Sequence, residues 1–392
     1  MNQNLLVLTV GTGTAGASSN LAQGLINTIA QLQPRRFWLM PSSSPDSLAV
    51  AELIREAGVH GFAAWTEGAP YRLIENPDQL GDCRAAVREL IRQVRRELKP
   101  GERLLVNPTS GTKQMSAGAT LAALDEQVGD IVFTVGQRRD GVVITGTERI
   151  AGFDAGEYFA ERDLNLARDL FAAGSWLAAA RVLEPHPQFL KERALGLCLT
   201  EWSCLNYAKA AAHASRFSEP LRSHLSALAQ WVKNSQLDAL VLADLLDNAS
   251  ASLRASDFGA ALAMGYKALE YAARLRLFTT AQISPPYHFD AISALPLSGA
   301  VREQLRATTY DDGCIRPGLS QVIDILASCK DPFAADYRSN HALKKLLGFR
   351  NQLTHEIRPV AQEEATALIT RVRDLVGAHM PTPQVPARPV TL

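Results

Sequence analysis

The sequence predicts an α/β domain with a parallel, doubly wound sheet over residues 1–155, followed by an all-α part to the C-terminus. Three observations predict it. Short apolar runs rich in β-formers alternate with helical patterns up to about residue 155, the signature of a parallel sheet flanked by helices. Two loops rich in Gly, Thr and Ser follow the first and fourth of those runs, where such sheets bind ligands. From about Phe159 the strand signals stop and Ala- and Leu-rich helical patterns take over.

In chain order, Leu5–Val10 is the first expected strand, ending at Gly11-Thr12-Gly13-Thr14-Ala15-Gly16. A helical pattern runs from about Asn20 to Gln33. Phe37–Met40 is the second strand and ends in Pro41-Ser42-Ser43-Ser44. Asp46 is the expected cap of a helix to Glu56, and His60–Trp65 the expected third strand. Residues 79–98 are amphipathic, with Ala86, Leu90, Ile91 and Val94 on one face. Leu104–Val106 is the fourth strand. It leads into Asn107-Pro108-Thr109-Ser110-Gly111-Thr112-Lys113 and an alanine-rich helix through Leu124. Ile131–Val135 and Gly141–Ile144 are expected to form a hairpin around Arg139-Asp140-Gly141.

Residues 156–234 are expected to be a helical linker. Phe171–Ala180 and, more weakly, Trp202–Ala212 suggest helical hairpins of the tetratricopeptide kind. Residues 235–380 are expected to form a further helical domain. It includes a long helix from Phe258, a helix Leu319–Ser328 opened by Pro317-Gly318, one starting near Ser339 as N-cap, and one over Ala361–His379. The proline-rich tail, 381–392, is expected to be disordered.

The chain has 392 residues, 47% hydrophobic and 20% charged, enough for two or three domains with ordinary cores. Formal net charge is zero, so any nucleic-acid site must be local. The five cysteines form no C-x-x-C pair, which argues against a zinc site or a disulfide framework and fits free thiols in a reducing cytoplasm. No signal-peptide pattern and no run of membrane-spanning length is present in the sequence.

Three motifs carry chemistry. Gly11-x-Gly13-x-x-Gly16 follows a strand and precedes a helix, as the dinucleotide fingerprint does. Pro41–Ser44 stands where that fingerprint needs an acidic residue for the ribose, and no hydride-transfer domain follows. A nicotinamide-dependent dehydrogenase is therefore the minor alternative. The second loop is not a Walker A motif, since Val106 stands at the first glycine position and Thr112 separates Gly111 from Lys113. Its hydroxyls, amide, cation and helix N-terminus suit phosphate or nucleotide edges, and they equally suit a capped strand-to-helix turn.

The third motif is Gly348–Glu356, which sets Arg350, Asn351 and His355 on one helix. A cation beside an imidazole suits phosphodiester cleavage, one group stabilising charge on phosphorus and the other moving a proton. The spacing alone does not select it. Arg55/His60 and Arg181/His186 repeat it, broken by Gly58 and Pro185. Residues five apart lie about 140° around a helix, so a second copy of the helix would be needed to close such a site. The alternative is an ordinary solvated helix surface.

Together these motifs resemble the CARF–HEPN ribonucleases that accompany type III CRISPR systems. The resemblance is most specific at Asn107–Met115 (Asn-Pro-Thr-Ser-Gly-Thr-Lys-Gln-Met) and fair at Arg350–His355. It implies a Rossmann-like CARF domain that senses a cyclic oligoadenylate, and an α-helical HEPN domain that cuts single-stranded RNA. Gly11, Thr12, Gly13 and Thr14 match the first ligand loop. Asn107, Thr109, Ser110, Gly111, Thr112, Lys113 and Gln114 match the second. Arg350, Asn351 and His355 match the nuclease motif. Glu356 departs from the small residue that many relatives place there. The resemblance further implies a homodimer and a metal-independent endoribonuclease that needs no cofactor beyond its activator. Its products would be a 2′,3′-cyclic phosphate and a 5′-hydroxyl. A non-catalytic nucleotide sensor whose helical half binds a partner protein is the other alternative.

Overall fold

The structure, a computed structural model, describes residues 4–12, 18–139, 142–217, 219–353 and 357–392; for 139, 142 and 351–353 it describes the backbone alone. The chain divides into two compact units, Met1–Arg162 and Asp163–Leu392.

The first unit contains β1 (Asn4–Val10), α1 (Ser18–Leu32), β2 (Arg36–Pro41), α2 (Pro45–Glu56), α3 (Leu80–Arg95), β3 (Arg103–Asn107), α4 (Lys113–Asp125), β4 (Asp130–Val135), β5 (Arg138–Arg139), β6 (Val142–Val143) and β7 (Arg149–Asp154). The five-stranded sheet has the order β2-β1-β3-β4-β7, with its first four strands parallel and β7 antiparallel to β4. Helices cover both faces, so the strands read as near-continuous apolar runs. Leu5, Val7, Trp38 and Met40 pack under α3 and α4. Leu6, Leu8, Phe37 and Leu39 alternate with them and pack against α1 and α2. The doubly wound α/β class expected from the sequence is the one observed.

Three local expectations change. His60–Trp65 is not a strand: it makes one parallel bridge, Phe37 to Phe62. Gly61 sits at φ +95°, outside the extended region, and a Cβ there would lie 2.9 Å from the Arg35 carbonyl oxygen. The antiparallel partner of β4 is β7, which the hydrophobic pattern did not flag because an edge strand with exposed side chains has no apolar run. β5 and β6 pair only with each other, and the turn expected at Asp140-Gly141 lies outside the described residues. Finally, Ser44 precedes α2 and Pro45 opens it, which puts Asp46 inside the first turn.

Helix α5 (Gly156–Ala172) spans the boundary between the units. The second unit continues with α6 (Trp176–Val182), α7 (Leu190–Ser203), α8 (Tyr207–Ala214), α9 (Leu221–Lys233), α10 (Ala239–Arg254), α11 (Phe258–Ala281), β8 (Tyr287–His288), α12 (Phe289–Ser293), α13 (Gly299–Ala307), β9 (Cys314–Ile315), α14 (Leu319–Ser328), α15 (Pro332–Ser339), α16 (His341–Leu353) and α17 (Gln362–His379). Helices α6 to α9 pack as successive neighbours, and α11 packs against α10, α14, α16 and α17. One apolar core runs through the helices on both sides of residue 235, from Ala167 to Met380. Asn340, not Ser339, caps α16, its Oδ1 accepting the Leu343 N–H at 3.0 Å.

The tail after Met380 has no helix or strand, yet it is not loose. Arg388 is 8% exposed. Its guanidinium donates to Asp247 at 2.9 Å and to Asn248 at 2.7 Å, and stacks 4.2 Å from the Trp202 ring centroid. Proline-rich composition argued for disorder. Arg388 nonetheless pairs with the half-buried carboxylate of Asp247 and lies over the Trp202 indole.

Candidate functional site

β1 and β3 are adjacent and parallel, so their carboxyl ends deliver Gly11–Thr12 and Asn107–Lys113 to the same edge of the sheet. The two loops are locked backbone to backbone. A Cβ on Gly11 would lie 2.6 Å from the Gly111 nitrogen and 2.8 Å from its Cα, so only glycine fits. The Gly11 N–H donates to Ser110 Oγ at 2.9 Å. The Thr9 hydroxyl donates to the Ser110 carbonyl. Ser47, from α2, donates to the Val10 carbonyl at 2.8 Å and anchors the start of the first loop.

The second loop is shaped by its own polar side chains. Asn107 Oδ1 accepts the Thr109 N–H at 3.0 Å, a side-chain turn typical of Asn. Asn107 Nδ2 donates to Thr134 Oγ1 at 3.0 Å, and the Thr134 N–H donates to Thr109 Oγ1 at 2.8 Å. Thr134 Oγ1 also lies 3.1 Å from Thr28 Oγ1. Gly111 adopts φ +117°. Thr112 caps α4, accepting the Met115 N–H at 3.2 Å and donating to the Pro77 carbonyl at 2.5 Å. Asn107, Thr109, Ser110 and Thr112 therefore use their polar groups to hold the loop's shape. Thr12, Gly111 and Lys113 are exposed, and Gln114 is half-buried. Backbone N–H groups at the start of a helix, next to a lysine, can accept an anion. Gly13 and Thr14 lie outside the described residues.

Thr9, Thr28, Ser47 and Thr134 were not singled out from the sequence, although they position both loops. One signal was present: Thr9 and Thr134 are the polar interruptions near the carboxyl ends of otherwise apolar strands.

Of the third motif, Arg350 and Asn351 fall on α16. Leu343 and Leu347, one turn apart, are buried and seat the helix, while Leu346 and Phe349 pack partly against the core. Arg350 is half-buried. Its guanidinium carbon lies 4.1 Å from the ring centroid of Tyr266 on α11, a cation–π stack that holds the side chain against the neighbouring helix. Arg358 stacks on Phe349 at 5.1 Å. His341, Lys344 and Lys345 are exposed on the same helix. Asn351 belongs to α16 by its backbone, and His355 and Glu356 lie outside the described residues. In the two rival Arg/His pairs, Arg55 is engaged with Glu52 and His186 lies 2.9 Å from Asp163.

No protein-family model matches the sequence, and no curated protein matches it. Among solved structures the chain is similar to Enterococcus italicus Csm6 bound to cyclic hexa-2′-fluoro-hexa-dAMP. The TM-score is 0.63 at 13% identity, and the match covers 97% of this chain and 95% of that one. At this identity the likeness establishes the fold, an α/β domain followed by a helical part along essentially the whole length.

Proposed function

We propose that this chain is a cyclic-oligoadenylate-activated endoribonuclease that cuts single-stranded RNA without a metal, acting in type III CRISPR antiviral defence in the cytoplasm. The observation that carries the proposal is the interlocked pair of loops ending β1 and β3, which turns Thr12, Gly111, Lys113 and the start of α4 outward. A protein of the same fold was solved with a cyclic adenylate hexamer analogue. A cyclic ligand with near two-fold symmetry suits two copies of one loop pair, so the active form is a homodimer.

In the helical unit, RNA brings its own nucleophile. The 2′-hydroxyl gives up its proton as its oxygen attacks phosphorus, the bond from phosphorus to the 5′-oxygen breaks, and the leaving 5′-oxygen takes up a proton. His355 is the general acid/base or orients the 2′-hydroxyl. Arg350 stabilises the charge of the phosphorane, and Asn351 positions the phosphate or the arginine. The exposed Lys344 and Lys345 add attraction for the RNA backbone. The products are a 2′,3′-cyclic phosphate and a 5′-hydroxyl.

The test is a ribonuclease assay in EDTA with a panel of cyclic oligoadenylates, comparing the native chain with His355→Ala. Cleavage by the native chain should require one ring size, and the variant should lose it by at least a hundredfold. Undiminished cleavage by His355→Ala removes the catalytic assignment. Tight oligoadenylate binding with no cleavage of any RNA would favour the non-catalytic sensor instead.

A further inference from the structure

A groove of about 400 Å³ lies on the outer side of α3, well away from the two loops. Trp65, half-buried, forms one wall, and its carbonyl accepts from Gln93 Nε2 at 3.0 Å. Arg88, Arg92 and Arg96 line it at four-residue intervals, about 6 Å apart along the helix axis. Arg88 and Arg92 both donate through Nε to the same oxygen of Glu126, at 3.0 and 2.9 Å. Arg72 stacks 5.6 Å from the Trp65 ring centroid and pairs with Glu89 at 2.7 Å. Arg96 is exposed and makes no ion pair among the described residues.

Arg88 also lies 3.8 Å from Asp125, the partner of Arg84, so Arg72, Arg84, Arg88, Arg92 and Arg96 meet Glu89, Asp125 and Glu126, leaving a local positive surplus in a chain whose net charge is zero. The groove is also distant from the proposed activator site. The first turns of α3 sit beside α4's middle, Cys83 against Gly118, while Arg88 and Arg92 reach Glu126 past the far end of α4.

We infer that this groove is an accessory contact for single-stranded nucleic acid. One base stacks against Trp65 in place of the Arg72 guanidinium, which swings aside with Glu89, and successive phosphates lie on Arg92 and Arg96. The indole offers a base-stacking surface that reads no sequence. The arginine spacing matches an extended strand's repeat of phosphates, and guanidinium forks suit phosphate oxygens. The volume suits one nucleotide unit. An acidic peptide would use the same charges but would gain little from the indole.

The experiment measures binding of a fluorescein-labelled, twelve-nucleotide single-stranded DNA to the full chain by anisotropy, across a salt series. DNA lacks the 2′-hydroxyl, so the probe is not consumed. All variants carry Arg350→Ala, to remove that residue's contribution from the helical unit. Arg96→Ala, whose side chain makes no ion pair among the described residues, should keep the thermal midpoint and reduce the salt slope by about 0.7. Arg92→Gln with Arg96→Ala should reduce it by about 1.4 and weaken binding about tenfold. Trp65→Leu should weaken binding about tenfold with the slope unchanged.

Unchanged affinity and slope in the double arginine variant overturn the inference. So does an unchanged affinity in Trp65→Leu together with displacement of the probe by polyglutamate, which would make the groove a plain charged patch. If Arg350→Ala alone leaves probe binding intact while the α3 variants lower it, the assignment of Arg350 to the RNA site fails and the groove stands.

Discussion

At the residue scale, the loop pair turns on glycines that cannot be replaced. Gly11→Ala would force the two loops apart, since the added methyl meets Gly111 backbone atoms that have no soft rotamer to yield. Overpacking of this kind costs roughly 1–3 kcal/mol. Calorimetric titration should find cyclic oligoadenylate binding weakened at least tenfold, and the thermal midpoint should fall by several degrees. Gly24→Ala is the contrast: its added methyl would meet only the end of the Glu148 side chain, at 3.2 Å, and should leave binding unchanged. The cysteines offer a second residue-scale prediction. Burial pushes the Cys198 thiol up to about 11, with Arg388 opposing the rise. The thiolate is the reactive form, so a raised pKa suppresses reaction at pH 8. Titration of the folded chain with a disulfide reagent at pH 8 should label exposed Cys204 first and half-buried Cys314 and Cys329 more slowly. Buried Cys198 and Cys83 should react only on unfolding.

At the element scale, the loops were legible in the sequence because their composition is unusual: glycine, threonine and serine directly after apolar runs. Their supports were not. Thr134 serves two parts of the second loop from another strand, 25 residues from Thr109 and 27 from Asn107, and nothing local marks it. The tail behaves likewise. Asp244 on α10 accepts from Trp202 Nε1 and from the Tyr207 hydroxyl, both at 2.7 Å, and from Asn248 Nδ2 at 3.0 Å. Arg388 closes this buried network through Asn248 and the Trp202 ring. Arg388→Ala should therefore destabilise the helical unit by about 1–3 kcal/mol, the cost of unpaired buried polar groups. Urea unfolding should report it as a lower midpoint with the slope preserved, and deletion of residues 381–392 should do the same.

At the scale of the whole molecule, the chain comprises two compact units joined through α5, each with its own core. Ligand binding to one unit stabilises that unit by mass action. Scanning calorimetry should therefore show cyclic oligoadenylate raising the transition of the unit that contains the loops. A rise confined to the transition of the helical unit would count against the loops as the binding site.

The sequence by itself determined the class of each half. Short continuous apolar runs set between helical patterns, and then helical patterns alone, are local information, written every few residues, and they separate a parallel sheet from a helical part without any long-range contact. The sequence also marked Gly11 and the Asn107–Lys113 loop, because each breaks the pattern around it, whereas Arg350 stood out only through the adjacent Asn351 and a helical stretch without a breaker. Only the tertiary structure decided which strand closes the sheet beside β4, that Gly11 and Gly111 meet backbone to backbone, that Arg350 stacks on Tyr266, and that Arg388 pins the tail. Those are contacts between residues tens to hundreds of positions apart. Their energy depends on burial and on partners that no local window of the sequence contains.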